Sequence, residues 1–242
     1  MDLSELHNEA KIASNYDLNE EQENKEIVRQ YRALLRAIRE KLKKGDKELL
    51  RTAFEMATKA HKTMRRKSGE PYIFHPLEVA EIAVSELGLG ATSVVCALLH
   101  DVVEDTDTTL EDIEHRFGKD VANIIDGLTK ISGVFEYGSS QQAENFRKML
   151  LTLNDDIRVI IIKIADRLHN MQTMDAMPEY KQVKIASETL YIYAPLAHRI
   201  GMYNVKTELE DLSLKYTEPQ RYQSIKDKIE ESKEEQEAYI KS

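Results

Sequence analysis

The 242-residue chain has little of what several large classes of protein require. A single cysteine, Cys96, excludes an intramolecular disulfide framework and fits a reducing compartment. Nine glycines and five prolines are too few for the many turns of a β-sandwich or barrel. No apolar run approaches the ~18 residues of a membrane span, and the N-terminus MDLSELHNEAK lacks the profile of a signal peptide. We therefore expect a soluble, cytoplasmic, mostly helical protein that makes no contact with a membrane.

The chain also lacks an excess of positive charge. It carries 43 acidic and 34 basic residues, for a formal net charge of −9. Contacts to phosphate need a basic surface, so we expect no direct binding of nucleic acid. The hydrophobic fraction of 41% is enough to form a core, which excludes wholesale disorder.

The pattern of apolar and polar residues divides the chain into three parts. Residues 1–20 are polar and predict a flexible lead-in. Residues 21–200 carry helical periodicity and predict one compact domain. Residues 201–242 predict two helices, the last with few apolar residues, which is typical of a connector towards another domain.

The boundaries of the helices follow from periodicity and from turn residues. The run Val159–Ile162 is β-branched, but its continuation to Met171 without a turn favours a buried helix over a strand. Residues 131–140, which contain Gly133 and Gly138, predict a loop able to order around a ligand, with Ser139 and Gln142 capping the next helix. We expect helices over 21–44, 46–64, 76–87, 94–104, a short one opened by a Thr108/Glu111 capping box and closed by Gly118, 121–130, 159–171, a long one after Pro178 that is bent at Pro195, 203–215 and 219–240.

Ionisable residues stand at the end of one apolar segment and inside another. His100, Asp101, Glu104 and Asp105 close the predicted helix 94–104, where about 100° per residue would bring them into one arc of roughly 140°. Asp166 follows the apolar run 159–165. Burying such groups costs free energy unless a cation or hydrogen bonds compensate. A divalent metal is the simplest compensation.

Together with His75, these residues offer a mixed nitrogen and oxygen donor set. Such a set suits Mn, Fe, Co or Zn better than Ca. The metal would polarise a phosphoryl group, and Glu104 or Asp105 would orient or deprotonate the attacking water. Simpler interpretations stay open at this point: His75 as a helix-entry residue, Asp105 as a helix cap, and Asp166 in an ion pair with Arg167.

A basic segment precedes His75 in this acidic chain. Residues 65–71, Arg-Arg-Lys-Ser-Gly-Glu-Pro, break the helical pattern and predict a loop. Surface arginines and lysines are usually only solvated, but a glycine-containing basic turn here is a plausible clamp for an anionic substrate.

Longer strings resemble a known family. The segments RKSGEPYIFHPLEVA (66–80), ALLHDVVEDT (97–106), ENFRKMLL (144–151), IKIADRLHNMQT (162–173) and APLAHRIGMYNVKTELEDLSLKY (194–216) are similar to the hydrolase region of the long RelA/SpoT-type (Rel) stringent-response enzymes, which carry an HD-type metal-dependent phosphohydrolase domain. One departure is the segment His61-Lys62-Thr63-Met64-Arg65, where relatives usually have a Gly-Gln pair after the histidine.

The resemblance implies an all-α fold, an HD-domain bundle of about ten helices around a metal site. It implies hydrolysis of the 3′-pyrophosphate of ppGpp or pppGpp to GDP or GTP plus pyrophosphate. One Mn²⁺ ion would be held by His75, His100, Asp101 and Asp166. Glu104 and Asp105 match the acidic catalytic pair, and the matching substrate contacts are Arg66, Lys67, Ser68, Asn170 and Thr173.

The resemblance also implies a longer protein. The chain would be the N-terminal portion of a bifunctional enzyme whose synthetase and regulatory domains are its partners. The HD and ED motifs are intact, so we expect hydrolysis, although some relatives with a degenerate acidic motif cannot hydrolyse. Two alternatives remain: an HD phosphohydrolase of another nucleotide, and a hydrolysis-inactive regulatory module.

Overall fold

The computed structural model describes residues 20–135 and 156–241 of the chain, with side chains over 20–131 and 156–232. The described residues up to His169 form one compact unit, and those from Asn170 form a second. Over these ranges the only β-type backbone pairing is an isolated bridge between Arg65 and Pro71, and all other regular structure is helical. The all-α prediction is therefore confirmed. No helix in the same ranges is long and apolar enough to cross a membrane.

Over its described residues, the first unit is a set of helices. A 3₁₀ turn, Arg39–Lys41, follows the first helix, and the last helix continues three residues into the second unit. The α-helices are α1 (Glu20–Ala37), α2 (Asp46–Ala60), α3 (Phe74–Ser85), α4 (Ala91–Leu99), α5 (Val102–Asp105), α6 (Leu110–Phe117), α7 (Lys119–Phe135) and α8 (Ile157–Gln172).

The core of the first unit is built around α4. Every residue from Val94 to Leu99 is completely buried, because α4 packs against α2, α3 and α7. A helix that is apolar all round needs such neighbours on every side. His75 lies in the first turn of α3 and His100 directly follows α4, so both imidazoles are placed by buried helices of the core.

Helices α7 and α8 approach each other closely at Gly127. A Cβ atom on Gly127 would lie 2.9 Å from Cγ2 and 3.3 Å from Cγ1 of Val159. The absence of a side chain at Gly127 therefore allows α8 to pack close to α7. Asp166 lies two turns further along this helix.

The predicted helix 94–104 is wrong as a single helix. It ends at Leu99, turns through His100 and Asp101, and resumes as α5 at Val102. The ring Nδ1 of His100 lies 2.8 Å from the carbonyl oxygen of Ala97, the acceptor that the amide of Asp101 would use in a continuous helix. This competition explains the break, and the single arc of His100, Asp101, Glu104 and Asp105 does not form.

Other boundaries also differ from the predictions. The capping box uses Thr109 and Asp112 instead of Thr108 and Glu111, and the hydroxyl of Thr108 instead lies 3.0 Å from that of Thr106. Helices α1 and α2 end earlier than predicted, and α3 begins at Phe74.

The loop predicted over 131–140 is wrong for residues 131–135, which extend α7. Residues 136–140, the caps Ser139 and Gln142, the motif 144–151 and most of the predicted lead-in lie outside the described residues.

The second unit is helical as well. A 3₁₀ turn, Met174–Ala176, leads to α9 (Glu179–Glu188), a π-helical turn (Thr189–Tyr193), α10 (Ala194–Arg199), α11 (Tyr203–Thr217) and α12 (Pro219–Lys241). Helix α11 packs against α9, α10 and α12. The bend predicted at Pro195 takes the form of the π turn, which accommodates a residue that cannot donate to the preceding turn. The predicted domain boundary at residue 200 stays a prediction.

Candidate metal centre

Four ionisable side chains from three regions of the first unit converge. His75 Nε2 lies 3.2 Å from Asp166 Oδ1 and 3.7 Å from Asp101 Oδ2. His100 Nε2 lies 3.0 Å from Asp101 Oδ2 and 3.9 Å from Asp166 Oδ1. These are the four residues that the sequence nominated as metal ligands, and the structure brings all of them together.

The hydrogen bonds of the two imidazoles leave their Nε2 atoms facing the carboxylates. His100 donates its Nδ1–H to the carbonyl oxygen of Ala97, so Nε2 is the nitrogen that faces the carboxylates. The Nδ1 of His75 lies 2.7 Å from the Nδ1 of His169. Burial lowers the pKa of His169 to about 3, so its ring is neutral, and a single hydrogen bond joins the Nδ1 atoms of the two rings. Ligating histidines are commonly oriented through their second nitrogen in this way.

A divalent cation fits the cluster on geometric grounds. The Nε2 of His100 is buried and makes no hydrogen bond within the described residues, although Asp101 Oδ2 is close by. A buried polar atom without a hydrogen bond costs about 1–3 kcal/mol. Nitrogen and oxygen atoms of His75, His100 and Asp101 lie within 4.8 Å of one another, as ligands of one ion do. A bound cation would be coordinated by this nitrogen and by the carboxylates together.

The electrostatics of the cluster favour a positive charge at its centre. Burial alone would lower the pKa of His100, but the negative charges of Asp101 and Asp166 raise that pKa to about 9. Burial works to raise the pKa of Asp166, yet the ammonium of Lys163, 3.0 Å from Asp166 Oδ2, and the histidines hold it well below its usual range. The negative potential that would protonate His100 would equally attract a metal ion.

Three neighbours of the cluster were not predicted. Lys163 and His169 lie three residues before and after Asp166 on α8, so helical spacing alone was a signal for both. Tyr72 donates its hydroxyl hydrogen to Asp101 Oδ2 over 2.7 Å. This contact joins segments 29 residues apart, and nothing in the local sequence pattern indicates it.

The predicted acidic pair lies on α5, one turn after Asp101. The amide of Asp105 donates to the carbonyl oxygen of Asp101 over 2.8 Å. Both Glu104 and Asp105 are more exposed than the four clustered residues. Partial burial and the negative charge of Asp101 raise the pKa of Asp105. A carboxyl group with a raised pKa beside a metal site is suited to exchange protons with a substrate or water.

The basic segment forms a tight, preformed turn. Arg65 and Pro71 pair as a bridge, and Gly69 adopts the left-handed φ of +94° that closes the turn. Arg65 makes a forked bond to the buried carboxylate of Glu23 in α1, with Nη2 to Oε2 at 3.0 Å, and its Nη1 also donates to the carbonyl oxygen of Gly69 over 3.1 Å. Tyr72, which bonds to Asp101, comes directly after the turn, so the turn is anchored at both of its ends.

The three predicted substrate residues of this turn differ in exposure. Arg66 and Ser68 are half-buried, whereas Lys67 is exposed. Arg66 Nε lies 3.8 Å from the carboxylate of Glu70. The other two predicted substrate residues belong to the second unit, Asn170 in the last turn of α8 and Thr173 just after it. The roles of all five residues stay predictions.

Comparisons with known proteins agree with this geometry. The family model described as HD domain matches residues 53–203, which is more than half of the chain. A protein of Myxococcus xanthus named GTP pyrophosphokinase is 49% identical over 199 residues, covering 81% of this chain and 26% of that protein. A guanosine-3′,5′-bis(diphosphate) 3′-pyrophosphohydrolase of Aquifex aeolicus is 47% identical, covering 80% of this chain and 27% of that protein.

A third relative and a solved structure extend the comparison. The protein of Escherichia coli K12 named bifunctional (p)ppGpp synthase/hydrolase SpoT is 48% identical over 181 residues, covering 74% of this chain and 26% of that protein. The chain therefore spans about a quarter of the length of these relatives. One solved structure is described as a metazoan ortholog of SpoT that hydrolyzes ppGpp. It matches with a TM-score of 0.53 and 23% identity, over 71% of this chain and 95% of that one, which supports the fold. On the family match across residues 53–203, this chain belongs to the HD domain family.

Proposed function

We propose that this chain hydrolyses the 3′-pyrophosphate of ppGpp and pppGpp, giving GDP or GTP and pyrophosphate, with one Mn²⁺ ion. The observation that carries the proposal is the convergence of His75, His100, Asp101 and Asp166, with Glu104 and Asp105 one turn beyond. The similarity to a named 3′-pyrophosphohydrolase at 47% identity supports ppGpp as the substrate.

The ion would be held by the four converging side chains. When bound, it supplies Lewis acidity, which polarises a phosphoryl oxygen and lowers the pKa of water. Imidazole nitrogens with carboxylate oxygens and no thiolate suit Mn²⁺. Lys163 and Tyr72 each bond one carboxylate of the set, Asp166 and Asp101 respectively. These bonds fix the direction in which each carboxylate presents its oxygens.

The acidic pair handles the protons of the reaction. Water adds to the phosphorus bonded to the ribose 3′ oxygen, the bond between that phosphorus and the 3′ oxygen breaks, and the released 3′ oxygen takes up a proton to become a hydroxyl. Asp105 accepts the proton that the attacking water loses, and Glu104 orients that water. The raised pKa of Asp105 supports this role, because a base works best when its pKa approaches the working pH.

The basic turn binds the guanosine nucleotide through Arg66, Lys67 and Ser68, and Asn170 and Thr173 make further substrate contacts. The support is the preformed geometry of the turn, which lowers the entropy lost on binding an anion.

The setting of the chain is part of the same proposal. It is the hydrolase portion of a longer, cytoplasmic, bifunctional protein, with residues 21–200 as the domain and 201–242 as the connector. Synthetase and regulatory domains are its partners. The support is that the chain spans 26% of a relative named as both synthase and hydrolase.

Pyrophosphate release from ppGpp by the purified, Mn²⁺-loaded chain tests the proposal. We expect Asp105→Asn to lower kcat by about 10²–10⁴-fold with the metal content unchanged, because it removes a proton acceptor. We expect Asp166→Asn to lower both activity and metal content, because it alters a ligand. Asp107→Asn, an exposed acid two residues beyond the pair, is the matched control and should match the wild type.

A substrate panel separates the alternatives. No pyrophosphate release with Mn²⁺ confirmed bound would contradict the proposal and favour a regulatory module. Faster hydrolysis of another phosphorylated nucleotide than of ppGpp would keep the reaction type and change the substrate.

A further inference from the structure

His61 is a buried histidine that the proposed mechanism does not use. It directly follows α2, and its side chain is 0% exposed. The ring Nδ1 bonds to the carbonyl oxygen of Ala57 over 3.1 Å. The other nitrogen, Nε2, is buried and makes no hydrogen bond to any residue that the structure describes. Such an atom costs about 1–3 kcal/mol unless something satisfies it.

The unsatisfied nitrogen faces the acidic pair. His61 Nε2 lies 3.8 Å from Asp105 Oδ2, and the ring of Tyr72 packs on the imidazole with centroids 4.7 Å apart. Tyr72 in turn donates to Asp101. His61 is therefore wedged between Asp105 and the residue that orients a predicted metal ligand.

The hydrogen bonding of His61 fixes which kind of group it can receive. A carbonyl oxygen only accepts, so the Nδ1 of His61 must carry the hydrogen. Burial lowers the pKa of His61, which keeps the ring neutral and leaves a lone pair on Nε2. The carboxylate of Asp105 is also an acceptor. His61 Nε2 and Asp105 Oδ2 are thus two acceptors 3.8 Å apart, and a water molecule between them could donate one hydrogen to each.

We infer that His61 is a positioning residue for Asp105, and that the two side chains share one water molecule by accepting one hydrogen each. The inference rests on the proposed function, because it acts through the catalytic role of Asp105. The side chain of Asp105 is 32% exposed on the four-residue helix α5, so a bridge to His61 would restrict the directions that its carboxyl group can take. With the bridge, one oxygen is held towards His61 and the other stays available for the reaction.

The first test replaces His61 by Leu and by Gln. Leu is similar in size and keeps the site apolar, but it has no acceptor, whereas the amide oxygen of Gln can accept from the same water. We expect His61→Leu to lower kcat for ppGpp by at least about 10-fold, with KM within about 2-fold and Mn²⁺ content unchanged. His61→Gln should recover most of the loss. A wild-type kcat in His61→Leu, or equal losses in both variants, would overturn the inference.

The second test separates positioning from packing. If His61 acts through Asp105, adding His61→Leu to Asp105→Asn should lower kcat by less than about 2-fold, because the two residues work as a unit. A purely structural role predicts that the two losses multiply. Circular dichroism and thermal unfolding establish that each variant is folded.

A third measurement does not depend on turnover. The ¹⁵N NMR spectrum of the histidine rings should show His61 with its hydrogen on Nδ1 and an Nε2 resonance that shifts in Asp105→Ala. A hydrogen on Nε2, or a resonance that Asp105→Ala leaves unchanged, would contradict the bridge. If the wild type releases no pyrophosphate, the proposed function fails, and this spectrum still decides whether His61 and Asp105 are coupled.

Discussion

Replacing Gly127 by Ala tests how tightly α8 is packed against α7. The new Cβ would lie 2.9 Å and 3.3 Å from the two methyl groups of Val159, and real Cβ contacts essentially never fall below 3.0 Å. Val159 is 2% exposed and β-branched, so its side chain has little freedom to turn away. Overpacking of this kind costs about 1–3 kcal/mol. The better helix propensity of Ala returns about 1 kcal/mol.

The expected result is a net loss of roughly 1–2 kcal/mol, taking the upper part of the overpacking range because both methyl groups are close. For a chain of this size, the loss corresponds to a fall in Tm of about 2–8 °C. Mn²⁺ affinity should fall as well, because α8 also carries Asp166.

The matched control is a double-mutant cycle with Val159→Ala, which removes both methyl groups. In that background Gly127→Ala should stabilise the protein, because only the gain in helix propensity remains. A higher Tm for Gly127→Ala in the wild-type background would refute the close approach of the two helices.

Two further substitutions test other parts of the first unit. Glu23→Gln removes the negative partner of the Arg65 guanidinium, so we expect a several-fold higher KM for ppGpp with a smaller change in kcat. The control Glu21→Gln, at an exposed position of the same helix, should leave KM unchanged. An equal KM in both variants would contradict the anchoring of the turn. Arg158→Gln removes the hydrogen bonds that lower the pKa of Asp156. Above about pH 5, the free energy of unfolding of this variant should therefore be lower than that of the wild type. The difference should shrink as the pH drops below about 4, because the carboxyl group of Asp156 in the wild type is then protonated. A difference that stays constant between pH 3 and pH 7, measured by urea unfolding, would exclude the carboxylate as its source.

Much of the fold was predictable because it depends on local patterns. The apolar periodicity of α8 predicted a helix where β-branched residues allowed a strand, and the structure has a helix over Ile157–Gln172. Gly118 adopts a positive φ directly after α6, at the helix end that was predicted from it. Patterns of this kind need only neighbouring residues, so they can be read from one sequence.

The break between α4 and α5 could not be predicted in this way. It arises because the ring of His100 bonds to the carbonyl oxygen of Ala97, and periodicity alone favours a continuous helix. The four candidate ligands were nevertheless nominated, because ionisable residues on apolar segments need partners wherever the backbone turns.

Whether a neighbour of the metal centre could be predicted depended on how far apart in sequence the contacting residues lie. Lys163 and His169 were within reach of sequence reasoning, since both lie three residues from Asp166 on one helix. Tyr72 and His61 were not, because their contacts with Asp101 and Asp105 join segments far apart in the chain. The roles of the motif 144–151, which lies outside the described residues, and of the second-unit residues Asn170 and Thr173 remain predictions.

The central claim is that His75, His100, Asp101 and Asp166 hold one divalent ion. Crystals grown with Mn²⁺ and measured at the manganese absorption edge test it most directly. The account predicts a single anomalous peak bonded to all four side chains and absent in Asp166→Asn. A peak bonded elsewhere, or a site in which Asp166 stays turned away from the ion, would contradict it.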